Sequence, residues 1–339
     1  MTRTSTPISG SLVDIEYYLP VDVVDNQFFH ERYPEWDVKR TEKRTGVRQR
    51  RIVQQGETAY DLGLNATKKL LKKHPQLESE IDAILFCTQS PDYVMPSNAF
   101  LLHRDLVLSK NILALDFTLA CSGYVYGLII ALSFITSGFA RNVLLVTADT
   151  YSKMIDDDDR ATRMLFGDGA SASWIGQTVS GRSEPLIESF QDFKCATDGN
   201  GWDQFIVKAG GSRYPSSGMS ARRESKIRMN GLRVLNLVSE GATTQVRQLL
   251  KENELNPDDI AQFFMHQGSQ LALDTFSRNL KIGSSKMFSN LSSVGNTVSS
   301  SIPILVRDYF SQTSLPRGSR LLLCGFGVGF SWGSLLATK

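Results

Sequence analysis

The chain has 339 residues, more than a single hydrophobic core usually serves, which predicts two domains or one large composite sheet protein. Lys plus Arg number 37 against 35 for Asp plus Glu, a formal charge of +2, and this balance argues against a general nucleic-acid or membrane-surface binder. Met1 to Gly10 is polar and rich in Thr and Ser, unlike the basic-then-apolar order of a secretory signal, so a cytoplasmic protein is expected.

The first feature in chain order is a basic segment after Trp36: Arg40, Lys43, Arg44, Arg48, Arg50 and Arg51. It suits an anionic partner or a solvated loop equally. A helical pattern runs from Ala59 to Lys72, followed by an apolar strand, Ile81 to Cys87. A further helical pattern, Ala99 to Leu106, contains His103, and the strand Ile112 to Phe117 comes next. Helix-like and strand-like runs alternate in this way along most of the chain, which predicts an α/β architecture.

Ala120–Gly123 joins the strand Ile112 to Phe117 to an apolar helical stretch, Gly123 to Ser137. Cys121 therefore stands at a helix N-terminus, where unpaired N–H groups and the helix dipole favour a thiolate. A buried structural cysteine is the alternative at such a place. The apolar part of that helix, Tyr124 to Ile135, is too short to cross a bilayer, which takes about twenty residues, and reads as a core helix. The remaining cysteines, Cys87, Cys195 and Cys324, are scattered, which argues against a disulfide framework or zinc motif. The strand Val143 to Ala148 follows, then the acidic run Asp156 to Asp159, read as a capped turn rather than a metal site.

A polar, turn-rich stretch, Gly176 to Glu184, is the best boundary, giving halves 1–178 and 179–339. The second half repeats the first. The strand at Asp82 to Ser90 resembles Ala261 to Ser269, and the turn Ala120–Gly123 resembles Val294–Thr297. Cys121 follows Asp82 by 39 residues and precedes Val143 by 22, while Asn296 follows Ala261 by 35 and precedes Arg320 by 24. A duplication explains this spacing. It puts Cys121, His266 and Asn296 at strand ends and helix starts, where open α/β sheets hold ligands.

His266 ends the apolar strand Gln262 to Met265, whereas His30 and His74 lie in charged segments. It is the best partner for a cysteine nucleophile, with a satisfied core histidine as the alternative. Asn296 alone fits a helix cap equally well. The glycine-rich stretch Gly325 to Gly329 does not suit a dinucleotide, because Phe330 to Leu336 continues as a strand and not as a phosphate-capping helix.

Ala120–Gly123, Leu165–Ala170, His266–Gln267, Gly295–Thr297 and Gly325–Gly333 together resemble, in kind and order, the motifs of the β-ketoacyl-acyl-carrier-protein synthase III family. The resemblance covers nearly the whole chain. It implies a thiolase-like, five-layered α-β-α-β-α fold from two duplicated halves, usually a homodimer, and an acyltransferase that uses acyl-CoA as substrate and has no resident cofactor. Cys121 would accept the acyl group, and His266 and Asn296 would bind a malonyl thioester carried on an acyl carrier protein. Backbone N–H groups of Cys121 and Val328 would form an oxyanion hole. Trp36, Arg44 and Arg160 would bind coenzyme A, and Met95 and Phe166 would line the acyl pocket, Met95 reaching that of a partner copy.

Three departures point to a specialised member serving a secondary metabolite or surface glycan, one being that the spacing from Trp36 to Arg44–Arg48 is several residues longer than in the fatty-acid initiators. Leu271 stands where many members carry an arginine for coenzyme A and carrier protein, with Arg278 and Lys281 as possible substitutes. Met95 stands where the fatty-acid initiators have an aromatic residue. Competing readings keep the fold with acyl transfer to a hydroxyl or amine, or make the chain a non-catalytic partner subunit.

Overall fold

The computed structural model describes residues 8–177, 184–215 and 224–339. The boundary predicted between residues 178 and 179 lies outside the described residues.

Thirteen strands form among these residues: β1 Ser11–Tyr18, β2 Asp22–Asp25, β3 Gln49–Ile52, β4 Ala83–Cys87, β5 Leu113–Phe117, β6 Asn142–Asp149, β7 Gly169–Gly176, β8 Ser189–Thr197, β9 Phe205–Ile206, β10 Arg228–Met229, β11 Gln262–Met265, β12 Arg320–Gly327 and β13 Ser331–Thr338. Two larger sheets carry the architecture, in the orders β1-β7-β6-β4-β5 and β11-β12-β13-β8. In the first, β4 runs parallel to β5 and β6, and β7 is antiparallel to β6 and β1. In the second, β11 is parallel to β12, and β13 is antiparallel to β12 and β8. Matching β8 to β1, β13 to β7, β12 to β6 and β11 to β4 superposes both order and direction, so the predicted duplication is visible in the topology.

The repeats diverge where the second half would need a counterpart of β5. No described strand forms there. A four-residue helix, Leu291–Val294, precedes Asn296, and the long helix begins only at Ser301, later than the direct turn-to-helix passage expected from sequence.

Apolar composition decides which helices are innermost. Gly123–Thr136 and Ser301–Gln312 are packed with β1, β4, β6 and β7 on one side and β11, β12 and β13 on the other, in one continuous core. A helix between two sheets has no solvated face, which is why the first of them is apolar nearly all round. Ala59–Lys73 and Asn98–Asp105 cover the outer face of the first sheet; Thr243–Glu252 and Gln270–Leu280 cover that of the second. The expected α-β-α-β-α layering results. Local signals set the helix starts: Thr58 and Asp61 form a reciprocal capping box at Ala59, and the Ser269 hydroxyl accepts the Ala272 N–H at 3.2 Å, each orphan donor finding an oxygen.

Candidate active site

The three residues singled out by sequence converge on one cavity of about 300 Å³, large enough for a small ligand, at the ends of β11 and β12 and the start of the helix Gly123–Thr136. Arg44, Arg160, Phe166 and Val328 line it too.

Cys121 is 6% exposed and precedes the N-cap residue Ser122 of the inner helix. The Ser122 hydroxyl bonds that of Ser331 at 2.7 Å, tying the helix start to β13. Burial pushes the Cys121 thiol well above its ordinary value and the Asp149 carboxylate adds to this, while its own backbone N–H favours the thiolate. Among the described residues no cation offsets the burial, so ionisation relies on the helix N-terminus.

His266 continues β11, its backbone N–H donating to the Cys324 carbonyl at 2.9 Å, and its ring stands edge-on to Phe326 at 5.2 Å. The residue beside it is the anchor. Gln267 donates its side-chain amide to Met265 O at 2.8 Å and its backbone N–H to Ser301 Oγ at 2.8 Å, and accepts from the Ser289 hydroxyl at 2.6 Å. Buried, with no partner at Nδ1 among the described residues, the imidazole has its pKa lowered to about 3 by burial. Burial therefore favours the neutral imidazole.

This has a measurable consequence for stability. The unfolded chain protonates this histidine below about pH 6.5, whereas the folded chain resists until about pH 3, so its contribution to stability is present above pH 6.5 and is lost as pH falls. Asp149 and Asp168, raised by burial to about 7 and about 6, act with the opposite sign, binding protons in the folded state first. Comparing His266→Phe with the parent by urea unfolding at each pH cancels their contribution. Between pH 6.5 and 4.5 the parent should lose about 2–3 kcal/mol more than the variant; equal slopes would show that His266 titrates normally.

Asn296 is held on all sides. Its backbone N–H donates to Leu165 O and its carbonyl accepts from Gly167 N, both at 3.0 Å. The side-chain Oδ1 accepts from Val298 N at 2.9 Å and Nδ2 donates to Gly268 O at 3.3 Å, leaving one amide hydrogen unassigned. The Leu165–Ala170 motif thus supports the asparagine. A Cβ on Gly167 would stand 2.6 Å from Val294 O, and buried Asp168 accepts from Val53 N at 2.9 Å and from the Ser152 hydroxyl at 2.5 Å.

The glycine-rich stretch serves close approach. The β12–β13 hairpin runs flush against Cys121: a Cβ on Gly325 would lie 2.8 Å from Cys121 O, and one on Gly327 would lie 3.0 Å from Cys121 Cβ. Phe330 to Leu336 falls largely within strand β13, as its sequence implies.

Several other residues singled out by sequence lie outside the cavity or are buried. Trp36 does not line the cavity; its ring stacks on Tyr33 at 4.0 Å and 8° and on Phe29 at 5.9 Å. Met95 is 80% exposed, outside its own chain's cavity. Arg50 is fully buried rather than part of a basic surface, donating to Val24 O, Asn26 Oδ1 and Met164 O. His74 is likewise buried, 2.7 Å from Asp14. Leu271 stands at the cavity rim, but Arg278 is seven residues further along the helix Gln270–Leu280, about 10 Å at 1.5 Å per residue, and neither it nor Lys281 lines the cavity. The acidic run behaves as a capped turn, with Asp159 accepting from Ala161 and Thr162 N–H groups and Asp157 paired with Arg163. Among the described residues no group of three or more His, Cys, Asp or Glu could hold a metal ion.

Sequence reasoning missed the wall formed by Phe205, Met229, Leu232 and Leu235. These come from the short β9–β10 ribbon and the helix after it, and two-residue strands leave no periodic signal.

Comparison with known proteins agrees with this geometry. Models of 3-oxoacyl-[acyl-carrier-protein (ACP)] synthase III and of its C-terminal part match residues 115–199 and 250–339. A β-ketoacyl-[acyl-carrier-protein] synthase III of Aliarcobacter butzleri is 35% identical over 97% of both chains, and that of Deinococcus deserti is 33% identical over 97% of this chain and 91% of its own. A crystal structure of a 3-oxoacyl-(acyl-carrier-protein) synthase III superposes with a TM-score of 0.91 at 36% identity, covering 98% of this chain and 100% of its own. A 3-oxoacyl-(acyl-carrier protein) synthase from Burkholderia xenovorans LB400 does so with a TM-score of 0.88 at 30% identity, covering 98% of this chain and 94% of its own. With motif order, layering and full-length similarity in agreement, the chain belongs to the 3-oxoacyl-[acyl-carrier-protein] synthase III family of condensing acyltransferases.

Proposed function

We propose that Cys121 takes an acyl group from acyl-CoA and that His266 and Asn296 drive its decarboxylative condensation with malonyl-acyl-carrier protein. The observation that carries this assignment is the convergence of a helix-start thiol, a neutral imidazole and an anchored amide on one cavity.

In the first half-reaction the Cys121 sulfur attacks the thioester carbonyl, and the coenzyme A thiolate leaves with the proton of the cysteine. Backbone N–H groups of Cys121 and Val328 receive the oxyanion, each worth roughly 3–4 kcal/mol in comparable sites. In the second, the malonyl carboxylate departs as carbon dioxide and leaves its electron pair as an enolate on the thioester. A neutral His266 donating one N–H and the unassigned amide hydrogen of Asn296 stabilise that oxygen. The carbanion attacks the acyl carbonyl, the Cys121 sulfur leaves as a thiolate that takes up a proton from solvent to restore the thiol, and a β-ketoacyl thioester results. Acyl transfer to a hydroxyl or amine would not need the enolate-stabilising pair, so Asn296 supports condensation.

Acyl-CoA enters as substrate, with no resident cofactor. Arg44 and Arg160, both exposed at the cavity mouth, suit its phosphates, and Phe166 forms part of the acyl wall. Leu271 at the rim supports a specialised acceptor or pathway. The halves 1–178 and 179–339 act as two repeats, and a homodimer is part of the reading: Tyr93, Val94 and Met95, between β4 and the helix Asn98–Asp105, are 58%, 93% and 80% exposed. A cytoplasmic location goes with these substrates; among the described residues no helix is long and apolar enough to cross a membrane.

The test is intact-mass spectrometry after incubation with a panel of acyl-CoA thioesters, then addition of malonyl-acyl-carrier protein. The expected result is retention of one acyl mass, discharged with release of carbon dioxide. Retention of no acyl group from any donor would overturn the assignment.

A further inference from the structure

A buried carboxylate not used in the steps above joins the two arms of the site. Asp149 ends β6 with no exposed surface. Its Oδ1 accepts the Gln89 N–H at 2.8 Å, just beyond β4 in the first half. Its Oδ2 accepts the Ser299 N–H at 3.3 Å and the Ser299 hydroxyl in a shorter bond, and Ser299 belongs to the second half, three residues after Asn296.

The turn carrying Asn296 needs such a clamp. Val298 has φ +54°, in the left-handed region that β-branched residues avoid, and such a conformation persists only when its surroundings over-determine it. It is also the residue whose N–H fixes the Asn296 side chain through Oδ1. On the upstream side the turn is held by the backbone pairing of Asn296 with Leu165 and Gly167. On the downstream side it is held by Ser299 on Asp149, and by the Ser300 hydroxyl on Thr147 O at 3.0 Å.

The geometry points to Asp149 as a positioning residue for condensation, which through Ser299 holds the strained turn at Val298 and so aims the Asn296 amide at the malonyl thioester. This rests on the role proposed for Asn296. The clamp acts on the second half-reaction and not the first. The Asp149 carboxylate opposes ionisation of Cys121, so neutralising it does not by itself slow acylation.

The test separates the half-reactions in Ser299→Ala, Asp149→Asn and Asn296→Ala. Acylation of Cys121 is followed by intact mass with acetyl-CoA or whichever acyl-CoA donor the parent accepts, and carbon dioxide release is followed from malonyl-acyl-carrier protein added to the acylated enzyme. Ser299→Ala and Asp149→Asn should keep acylation within about threefold of the parent and lower carbon dioxide release by about tenfold, the scale of a sub-ångström misplacement. Parallel losses in both half-reactions, or an unchanged release in Ser299→Ala, would overturn the proposal. Should Asp149→Asn fail to fold, as judged by thermal melting, Ser299→Ala decides alone, since it removes one oxygen. If Asn296→Ala itself releases carbon dioxide at the parental rate, the role of Asn296 falls and the clamp falls with it; if only Asn296→Ala is impaired, the clamp alone fails.

Discussion

Cys121→Ala should abolish the acyl adduct and lower condensation by roughly 10⁴-fold or more, because the variant loses the atom that forms the covalent intermediate. The substitution removes one sulfur from a residue that lines the cavity, so folding should be little affected. His266→Ala and Asn296→Ala should behave differently. Each leaves the thiol and its helix start intact, so the adduct should still form. Each removes a donor to the enolate oxygen, so condensation should fall by about 10²–10³-fold. The measurement is paired: intact mass for the adduct, and product formation from malonyl-acyl-carrier protein. The assignment of roles would be wrong if His266→Ala prevented adduct formation as completely as Cys121→Ala. That result would make the imidazole the base for the thiol, a role its low pKa of about 3 and its lack of a partner at Nδ1 among the described residues do not favour.

Cys121 is legible in the sequence as a candidate nucleophile because everything that points to it is local: an apolar strand, a small-residue turn and an apolar helix between Ile112 and Ser137. His266 is legible for the same reason, as the polar end of the run Gln262–Met265. Asn296 stands out through the matching turn of the second half, but what orients it is hidden. Its amide depends on the Val298 backbone and on a carboxylate 150 residues away in sequence, in a bond between Ser299 and Asp149. Arg50 shows a different loss. Composition groups it with Arg48 and Arg51, yet β3 alternates, and Arg50 points inward while Arg51 reaches the Pro20 and Val21 carbonyls. Recognising that four-residue strand would have separated them. Trp36 enters only through the family resemblance; its stacking on Tyr33, three residues earlier, is an aromatic contact that spacing alone does not reveal.

Gly325→Ala should be a strongly damaging small change outside the three catalytic candidates. The added Cβ would stand 2.8 Å from the Cys121 carbonyl oxygen and 3.0 Å from Ser122 Cα. These are backbone atoms, which cannot swing aside as the end of a side chain can. β12 cannot yield easily either. It is paired on one side with β11, where Cys324 faces Met265, and on the other with β13, where Gly325 faces Gly333. With the strand held from both sides, the start of the helix Gly123–Thr136 must shift, straining the bond between the Ser122 and Ser331 hydroxyls and moving the thiol from its place at the cavity. Acylation of Cys121 should fall by about 10²-fold, the cost of a misplacement near 1 Å, and stability by about 1–3 kcal/mol, as for other overpacked cores. Gly318→Ala supplies the comparison. Gly318 has φ +82° and open space around its would-be Cβ, so alanine there should cost about 1 kcal/mol through backbone strain and leave acylation unchanged. Stopped-flow or quenched mass measurement of the adduct, with thermal melting of both variants, separates the two effects. A Gly325→Ala enzyme that acylates at the parental rate would show that these glycines are not there to let β12 pass beneath Cys121. A variant that instead lost only affinity for coenzyme A would return the stretch to a phosphate-binding role, which the strand β13 following it argues against.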